Sequence, residues 1–328
     1  MFKVAQIINK HLIKFLIIII AIGIAAGYYY PELGTALQPF TPLALFVMLY
    51  PMMIGMKIEE VANAAKQWKL LSVAMIFNYV VSPLLGGMLA ALFLSSHPEF
   101  AVGLILTSIV PCGGMVVAWT GFSRGNTALA VVITGLSLLA GIVLIPAWTT
   151  VLAGKYVGVP FISMLKTIVL VIVIPLILGN LTRRGLLKKC GEEKFSQLKG
   201  IFPAVSALGM YSVFFISMTA EARHIVNHPE YLGVMALPLA LLYVFVFTLP
   251  VVYARITGMD YGNMVALTFG VGAKNITIAL ALAMIFFGPL TVMILAMKPL
   301  VQVIFVAGFC RITPFLRQRW PPEQLIHS

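Results

Sequence analysis

TFGVGAKNITIALALA, residues Thr268 to Ala283, places one amine, Lys274, near the middle of a segment otherwise apolar enough to span a bilayer. A charged side chain at membrane depth costs at least ~2.5 kcal/mol even on the lenient insertion scale, so it normally faces protein or a water-filled cavity. Gly270, Gly272 and Asn275 flank the lysine and weaken the helix there. Irregular backbone is tolerated in the hydrocarbon layer only where it lines a cavity or is buried in protein. The alternative, a lysine snorkelling to the interface, suits a residue at a span end better than one at its middle. The stretch predicts a membrane-embedded functional site around Lys274.

The rest of the chain supports a membrane reading. Hydrophobic residues make up 61% of the 328 positions, charged residues 10%, and the mean hydropathy is +1.04, values of an all-α integral membrane protein rather than a soluble domain. The net charge of +12 lies in short basic runs beside apolar spans. Such runs orient helices in a lipid bilayer, and no nucleic-acid partner is expected. Cys112, Cys190 and Cys310 are far apart and lack metal-ligand spacing, so neither a disulfide framework, a metal site nor a cofactor is expected. The first apolar span follows Lys3, Lys10 and Lys14 without a small-residue cleavage site, which predicts a retained helix rather than a secretory signal.

Apolar windows of about twenty residues predict ten spans, beginning near Ile13, Phe40, Leu70, Phe100, Thr127, Phe161, Phe202, Tyr231, Gly262 and Gly288. With the amino terminus in the cytoplasm, the inner connections collect Lys57, Lys66, Lys69 and Arg124, then Arg183, Arg184, Lys188, Lys189, Lys194 and Lys199, then Arg255, Arg311, Arg317 and Arg319. The outer ones hold little beyond Lys155, Lys166 and Arg223. This asymmetry predicts both termini in the cytoplasm and a multi-pass protein of the cell membrane. The polar stretch 181–200 divides the spans five and five, so 1–180 and 201–312 are expected as two five-helix repeats, with 313–328 a cytoplasmic tail. Homologous halves with an odd number of spans enter the membrane from opposite sides, as inverted repeats do. In register, the fourth span carries Pro111, Cys112, Gly113 and Gly114, and the ninth carries Gly270 to Asn275. Matching interrupted helices in two halves point to a transport site.

Broken helices expose amides with a partial positive charge of roughly +0.5 per helix end, which attract anions. Lys274 adds a whole charge, so the expected solute is anionic or electron-rich. Every carboxylate, Glu32, Glu59, Glu60, Glu99, Glu192, Glu193, Glu221, Glu230, Asp260 and Glu323, is expected in a loop or at a span end. A sodium site there would rest on neutral oxygens alone, which hard cations accept less readily. Proton coupling through Lys274, an amine able to exchange its proton, is the expected alternative. Asn78 in the third span and Thr134 and Ser137 in the fifth are further candidate solute contacts. Thr134 and Ser137 have the competing option of bonding their own helix. Lys298, before Pro299, is expected to pair with a freed carbonyl. Cys112 follows Pro111, where the amino end of a half-helix would activate a thiol; its other reading is a small buried hydrophobe.

Those residues resemble a known superfamily, the one joining bile acid and sodium symporters to arsenite exporters, over nearly the whole chain. YPMMIGMKIEE (50–60), NYVVSPLL (78–85) and PCGGMVVAWTGFSRGN (111–126) are similar to the arsenite-exporter branch. The resemblance implies ten helices in two inverted repeats, arranged as a panel and a core, with broken helices 4 and 9 crossing. It also implies that Cys112 occupies the position of an arsenite-related thiol. In the ninth span, Gly270, Gly272 and Lys274 stand where the symporters carry Glu, Gly and Gln before the shared Asn275. Val116 and Val117 stand where those symporters have sodium-binding Ser and Asn, and Ile278 stands where the exporters carry a glutamate.

The expected activity is secondary active transport of a small organic anion or a metalloid oxyacid by alternating access, independent of sodium. Asn78, Cys112, Gly113, Gly114, Thr134, Ser137, Gly270, Gly272, Lys274 and Asn275 form the expected solute site. An arsenite efflux permease using Cys112 is the alternative within the superfamily. A membrane-embedded enzyme is not expected, since the spans hold no Ser/His pair, paired carboxylates or His/Glu cluster. A channel would need a continuous polar stripe, which they lack.

Overall fold

The computed structural model describes residues 5–8, 11–54, 68–113, 115–198 and 200–320. Helices occupy every apolar window, and no strand forms among the described residues. Apart from the short helix Ala222–Asn227, they are in order α1 (Leu12–Tyr29), α2 (Glu32–Ile54), α3 (Trp68–Phe93), α4 (Pro98–Ile109), α5 (Val116–Phe122), α6 (Thr127–Ala153), α7 (161–198), α8 (Ile201–Ala220), α9 (Glu230–Ile256), α10 (Tyr261–Gly272), α11 (Ile276–Phe287) and α12 (Pro289–Arg319). By length and composition α2, α3, α6, α8, α9 and α12 can each cross a membrane. The chain is a multi-pass membrane protein. Pro98 and Pro289 sit in the first turns of α4 and α12, where a missing N–H has no helical partner to lose.

Two compact units form. The first comprises Met1–Met56, Val159–Met235 and Thr277–Ala296, the second Lys57–Gly158, Ala236–Ile276 and Met297–Ser328. In the first, α8 packs on α1 and α2. A Cβ on Gly209 of α8 would lie 2.4 Å from the Met48 backbone nitrogen, so only glycine allows this approach of two backbones. The stretch 181–200, expected as a polar connection, continues α7 as helix to Leu198, interrupted at Gly191, whose φ of 75° is left-handed. Of the carboxylates expected outside the apolar core, Glu192 and Glu193 are exposed on that helix. Glu59, Glu60 and Glu323 lie outside the described residues, as do Lys57, Lys66, Lys199 and Gly114.

In the second unit α3 packs on α4, while α6 packs on α4, α5 and α10. Ser82 Oγ donates to the Ser108 carbonyl at 2.7 Å, joining α3 to α4. Side chains start two of these helices. Asn126 Oδ1 accepts from the Leu129 amide at the head of α6, and Asp260 Oδ1 accepts from the Asn263 amide at the head of α10. Asn126 Nδ2 also donates to Asn263 Oδ1 at 2.8 Å, tying the two helix starts together. Every residue from Phe100 to Cys112 is buried, and so is every residue from Met264 to Asn275. Helices buried on all sides belong at the centre of a unit.

Candidate functional site: a buried lysine at two paired helix breaks

Two helices of the second unit break, for different local reasons. Pro111 has no N–H to continue the ladder and forces its predecessor away from helical geometry; Val110 duly adopts φ −68°, ψ 150°. The chain becomes helical again only at Val116. No proline breaks the partner: α10 ends at Gly272, Ala273 takes φ −86°, ψ 71°, and α11 begins at Ile276. Freed backbone groups must find partners inside a membrane. The two breaks supply them to each other. Gly113 N–H donates to the Ala273 carbonyl and Asn275 N–H to the Pro111 carbonyl, both at 2.8 Å, so that Cys112 and Lys274 face each other in an antiparallel bridge.

This pairing alters the expected setting of Cys112. The thiol is not at the amino end of a half-helix, because Pro111 and Gly113, on either side of it, pair with the other break and α5 starts only at Val116. It is 1% exposed and donates to Thr134 Oγ1 at 3.5 Å, with Ser137 Oγ at 3.4 Å. Thr134 and Ser137 also bond back to their own helix, at the Ala130 and Thr134 carbonyls. The expected bonding of these hydroxyls to their own helix is realised, and both also meet the Cys112 thiol.

Lys274 is 3% exposed, and its Nζ donates to Asn78 Oδ1 at 3.0 Å. Asn78 is fully buried in a π-helical turn of α3, Phe77–Val81. A π turn inserts one residue into the helical repeat and so turns neighbouring side chains inward. Asn78 Nδ2 uses both hydrogens, on the Ala74 carbonyl at 3.1 Å and the Gly270 carbonyl at 3.0 Å. The adjacent Tyr79 donates to the Ser137 carbonyl. Tyr79 is the residue that sequence reasoning missed; its signal was a second polar tip next to Asn78 in an apolar span.

Lys298, fully buried on α12, donates to the Lys274 carbonyl at 3.1 Å, as expected of a lysine paired with a freed carbonyl. Two amines thus meet at one break. Neither has a carboxylate partner among the described residues, and none of the described Asp or Glu residues is buried. Val116 and Ile278 are buried hydrocarbon, so neither supplies an oxygen. Glycine is required here for space. A Cβ on Gly272 would lie 2.5 Å from the Phe247 ring, and one on Gly270 would lie 2.8 Å from Ile133 Cγ2. Phe247 belongs to an aromatic cluster with Tyr243, Phe269, Phe305 and Phe309 that backs the break. The structure therefore brings together Asn78, Cys112, Gly113, Thr134, Ser137, Gly270, Lys274 and Asn275, with Gly272 set against the aromatic cluster.

Comparison with known proteins gives the chain a family. A family model described as Sodium Bile acid symporter family matches residues 42–228. An arsenical-resistance protein of Corynebacterium glutamicum is 26% identical over 292 residues, covering 84% of this chain and 78% of that protein. One of Alkaliphilus metalliredigens is 27% identical over 294 residues, covering 82% and 81%. A probable chloroplastic sodium/metabolite cotransporter of Arabidopsis thaliana is 25% identical over 276 residues, covering 83% and 66%. With its family model matched over more than half its length, the chain belongs to the sodium bile acid symporter family.

Proposed function

We propose that this chain is a secondary active transporter for a small organic anion or a metalloid oxyacid, and that Lys274 supplies the positive charge of the solute site. One observation carries the reading: a buried lysine amine held by Asn78 Oδ1 at the junction of two helix breaks, with no carboxylate beside it among the described residues. An unneutralised cation in a low-dielectric site favours an anion that can reach it. Ten spans in two inverted repeats, 1–180 and 201–312, joined by 181–200 and followed by the tail 313–328, suit that activity. Both termini are then cytoplasmic in the cell membrane. Each compact unit draws on both halves of the chain, which supports an inverted repeat.

Sodium independence follows from the chemistry of the break. Gly270, Val116 and Ile278 offer no side-chain oxygen, and the Lys274 ammonium holds the Asn78 oxygen that a cation would seek. Proton exchange on Lys274 is the coupling that remains. Purified chain in liposomes is expected to take up radiolabelled solute equally well in sodium and in choline buffers. A strict sodium requirement overturns the reading. A second reading, arsenite efflux, is favoured by Cys112, whose thiol lies among two hydroxyls beside Lys274, and by the arsenical-resistance relatives.

A further inference from the structure

One end of the second unit gathers arginines. α6 starts there at Thr127, α9 stops at Ile256 and α12 stops at Arg319. Arg255 Nη1 donates to the Arg319 carbonyl at 3.0 Å and Trp320 Nε1 to the Met259 carbonyl at 2.8 Å, which clips α12 to the end of α9. Arg255 also lies over the Trp320 ring and Arg319 over the Phe315 ring, so both are engaged within the chain. Arg124 and Arg317 are exposed, and among the described residues their guanidiniums have no hydrogen-bond or ion-pair partner. Tyr261 brings these two together. Its hydroxyl donates to the Ser123 carbonyl at 2.8 Å and to the Thr313 carbonyl at 3.2 Å. Arg124 follows Ser123 directly and Arg317 stands one helical turn beyond Thr313, so both lie within electrostatic range of Tyr261. The carboxylate beside them, Asp260, is taken by the Asn263 amide and side chain.

Arg124 keeps this place against its backbone. Its φ of 54° makes it the one non-glycine residue with a left-handed backbone among the described residues. Its N–H bonds to the Gly121 carbonyl and the Gly125 N–H to the Thr120 carbonyl, a close to α5 in which glycine or asparagine is the least strained residue. The glycine stands one position later, for space: a Cβ on Gly125 would lie 2.6 Å from Val265 Cγ1. An arginine held in strained backbone, with a guanidinium that no described group engages, points to a partner outside the chain.

We propose that Arg124 and Arg317 hold the phosphate of an anionic phospholipid, in the leaflet that borders this end and is cytoplasmic in the orientation proposed above. Charge complementarity selects the headgroup, since two guanidiniums without a carboxylate partner match a phosphodiester. Phe122 and Phe315, each exposed and two positions before its arginine, select a lipid over free phosphate, because they offer hydrocarbon to an acyl chain. No residue of the solute site takes part.

The test titrates the full chain, purified in a neutral detergent, with phosphatidylglycerol or phosphatidylcholine and counts bound lipid by native mass spectrometry. The parent is expected to bind phosphatidylglycerol more tightly than phosphatidylcholine. Arg124→Gly and Arg317→Gln are each expected to weaken phosphatidylglycerol about tenfold and to leave phosphatidylcholine unchanged. Without lipid, Arg124→Gly should unfold no lower than the parent, because glycine relaxes the left-handed backbone, so its lost binding is separable from misfolding. Arg223→Gln, which removes an exposed arginine of the first unit, is expected to bind as the parent does. Glycerol phosphate, a headgroup without chains, is expected not to displace the lipid at equal concentration. The proposal is overturned if Arg124→Gly and Arg317→Gln bind phosphatidylglycerol like the parent, or if Arg223→Gln loses as much, which would mean general charge attraction. Displacement by glycerol phosphate would overturn it in favour of a free-phosphate site. An Arg124→Gly chain that unfolds well below the parent without lipid would overturn it too, by making Arg124 a part of the fold.

Discussion

Lys274 Nζ donates to a single acceptor among the described residues, Asn78 Oδ1, so replacing the lysine sets two effects against each other. Lys274→Met leaves a buried amide oxygen without its donor, at about 1–3 kcal/mol. It also removes an unpaired buried charge, whose effective penalty is several kcal/mol. The second is larger. The empty variant should therefore unfold at or above the parent's temperature, measured by thermal denaturation in detergent. Anion binding should fall about tenfold or more, since one charge-assisted hydrogen bond is worth roughly 1.5–3 kcal/mol. Parent-like binding would make Lys274 a bystander. Lys274→Gln alone should not create sodium dependence, because Gly270 still brings no carboxylate. Gly270→Glu is obstructed by Ile133, 2.8 Å from the new Cβ, so sodium-dependent uptake is expected only when Ile133→Ala accompanies both changes. At Cys112, the arsenite reading predicts that Cys112→Ser abolishes arsenite tolerance in a sensitive host at unchanged protein abundance. Tolerance retained by the variant would return Cys112 to packing.

At the level of helices, the two breaks are a pair rather than two independent defects. Pro111 breaks one helix through its own chemistry, whereas the other has only glycines and depends on its partner for hydrogen bonds. The backing of the second break is tight, with Phe247 filling the space that a side chain at position 272 would need. Gly272→Ala should destabilise the chain by about 1–3 kcal/mol through overpacking. Phe247→Leu in the same chain should recover much of that loss. Denaturation midpoints in detergent would show it, and an unaltered Gly272→Ala midpoint would mean that the aromatic cluster yields freely. The π turn of α3 belongs to the same assembly, since it turns both Asn78 and Tyr79 inward. A regular helix would separate adjacent side chains by 100°.

For the molecule as a whole, the proposed orientation rests on the distribution of Lys and Arg. A fluorescent protein that matures only in the cytoplasm, fused after Arg319, should be bright, as should one inserted after Gly191. The same reporter placed after Lys155 or Arg223 should be dark. The opposite pattern would invert the orientation and with it the direction assigned to the termini. The compact units interleave the two halves of the chain, so neither half is expected to be stable when expressed alone.

The apolar helices, the two breaks and the lysine buried among them were legible in the sequence because each is a local consequence. The hydrocarbon layer demands an apolar run of fixed length, proline removes a donor wherever it stands, and a charge within such a run is conspicuous without knowledge of its neighbours. Asn78 and Lys298 could be singled out for the same reason. The partners of Asn78 could not be read. Asn78 meets Lys274 across 196 positions and the Gly270 carbonyl across 192, and nothing local encodes a contact of that separation. The setting of Cys112 differs from expectation because local rules place a helix start just after a proline, whereas Pro111 and Gly113 pair with Asn275 and Ala273 across the two breaks and α5 begins only at Val116. The inventory of buried polar groups was therefore set by the sequence and the bilayer. Which donor satisfies which acceptor was decided by the packing of α3, α4, α6, α10 and α12, because every freed group had to be answered by another helix rather than by water.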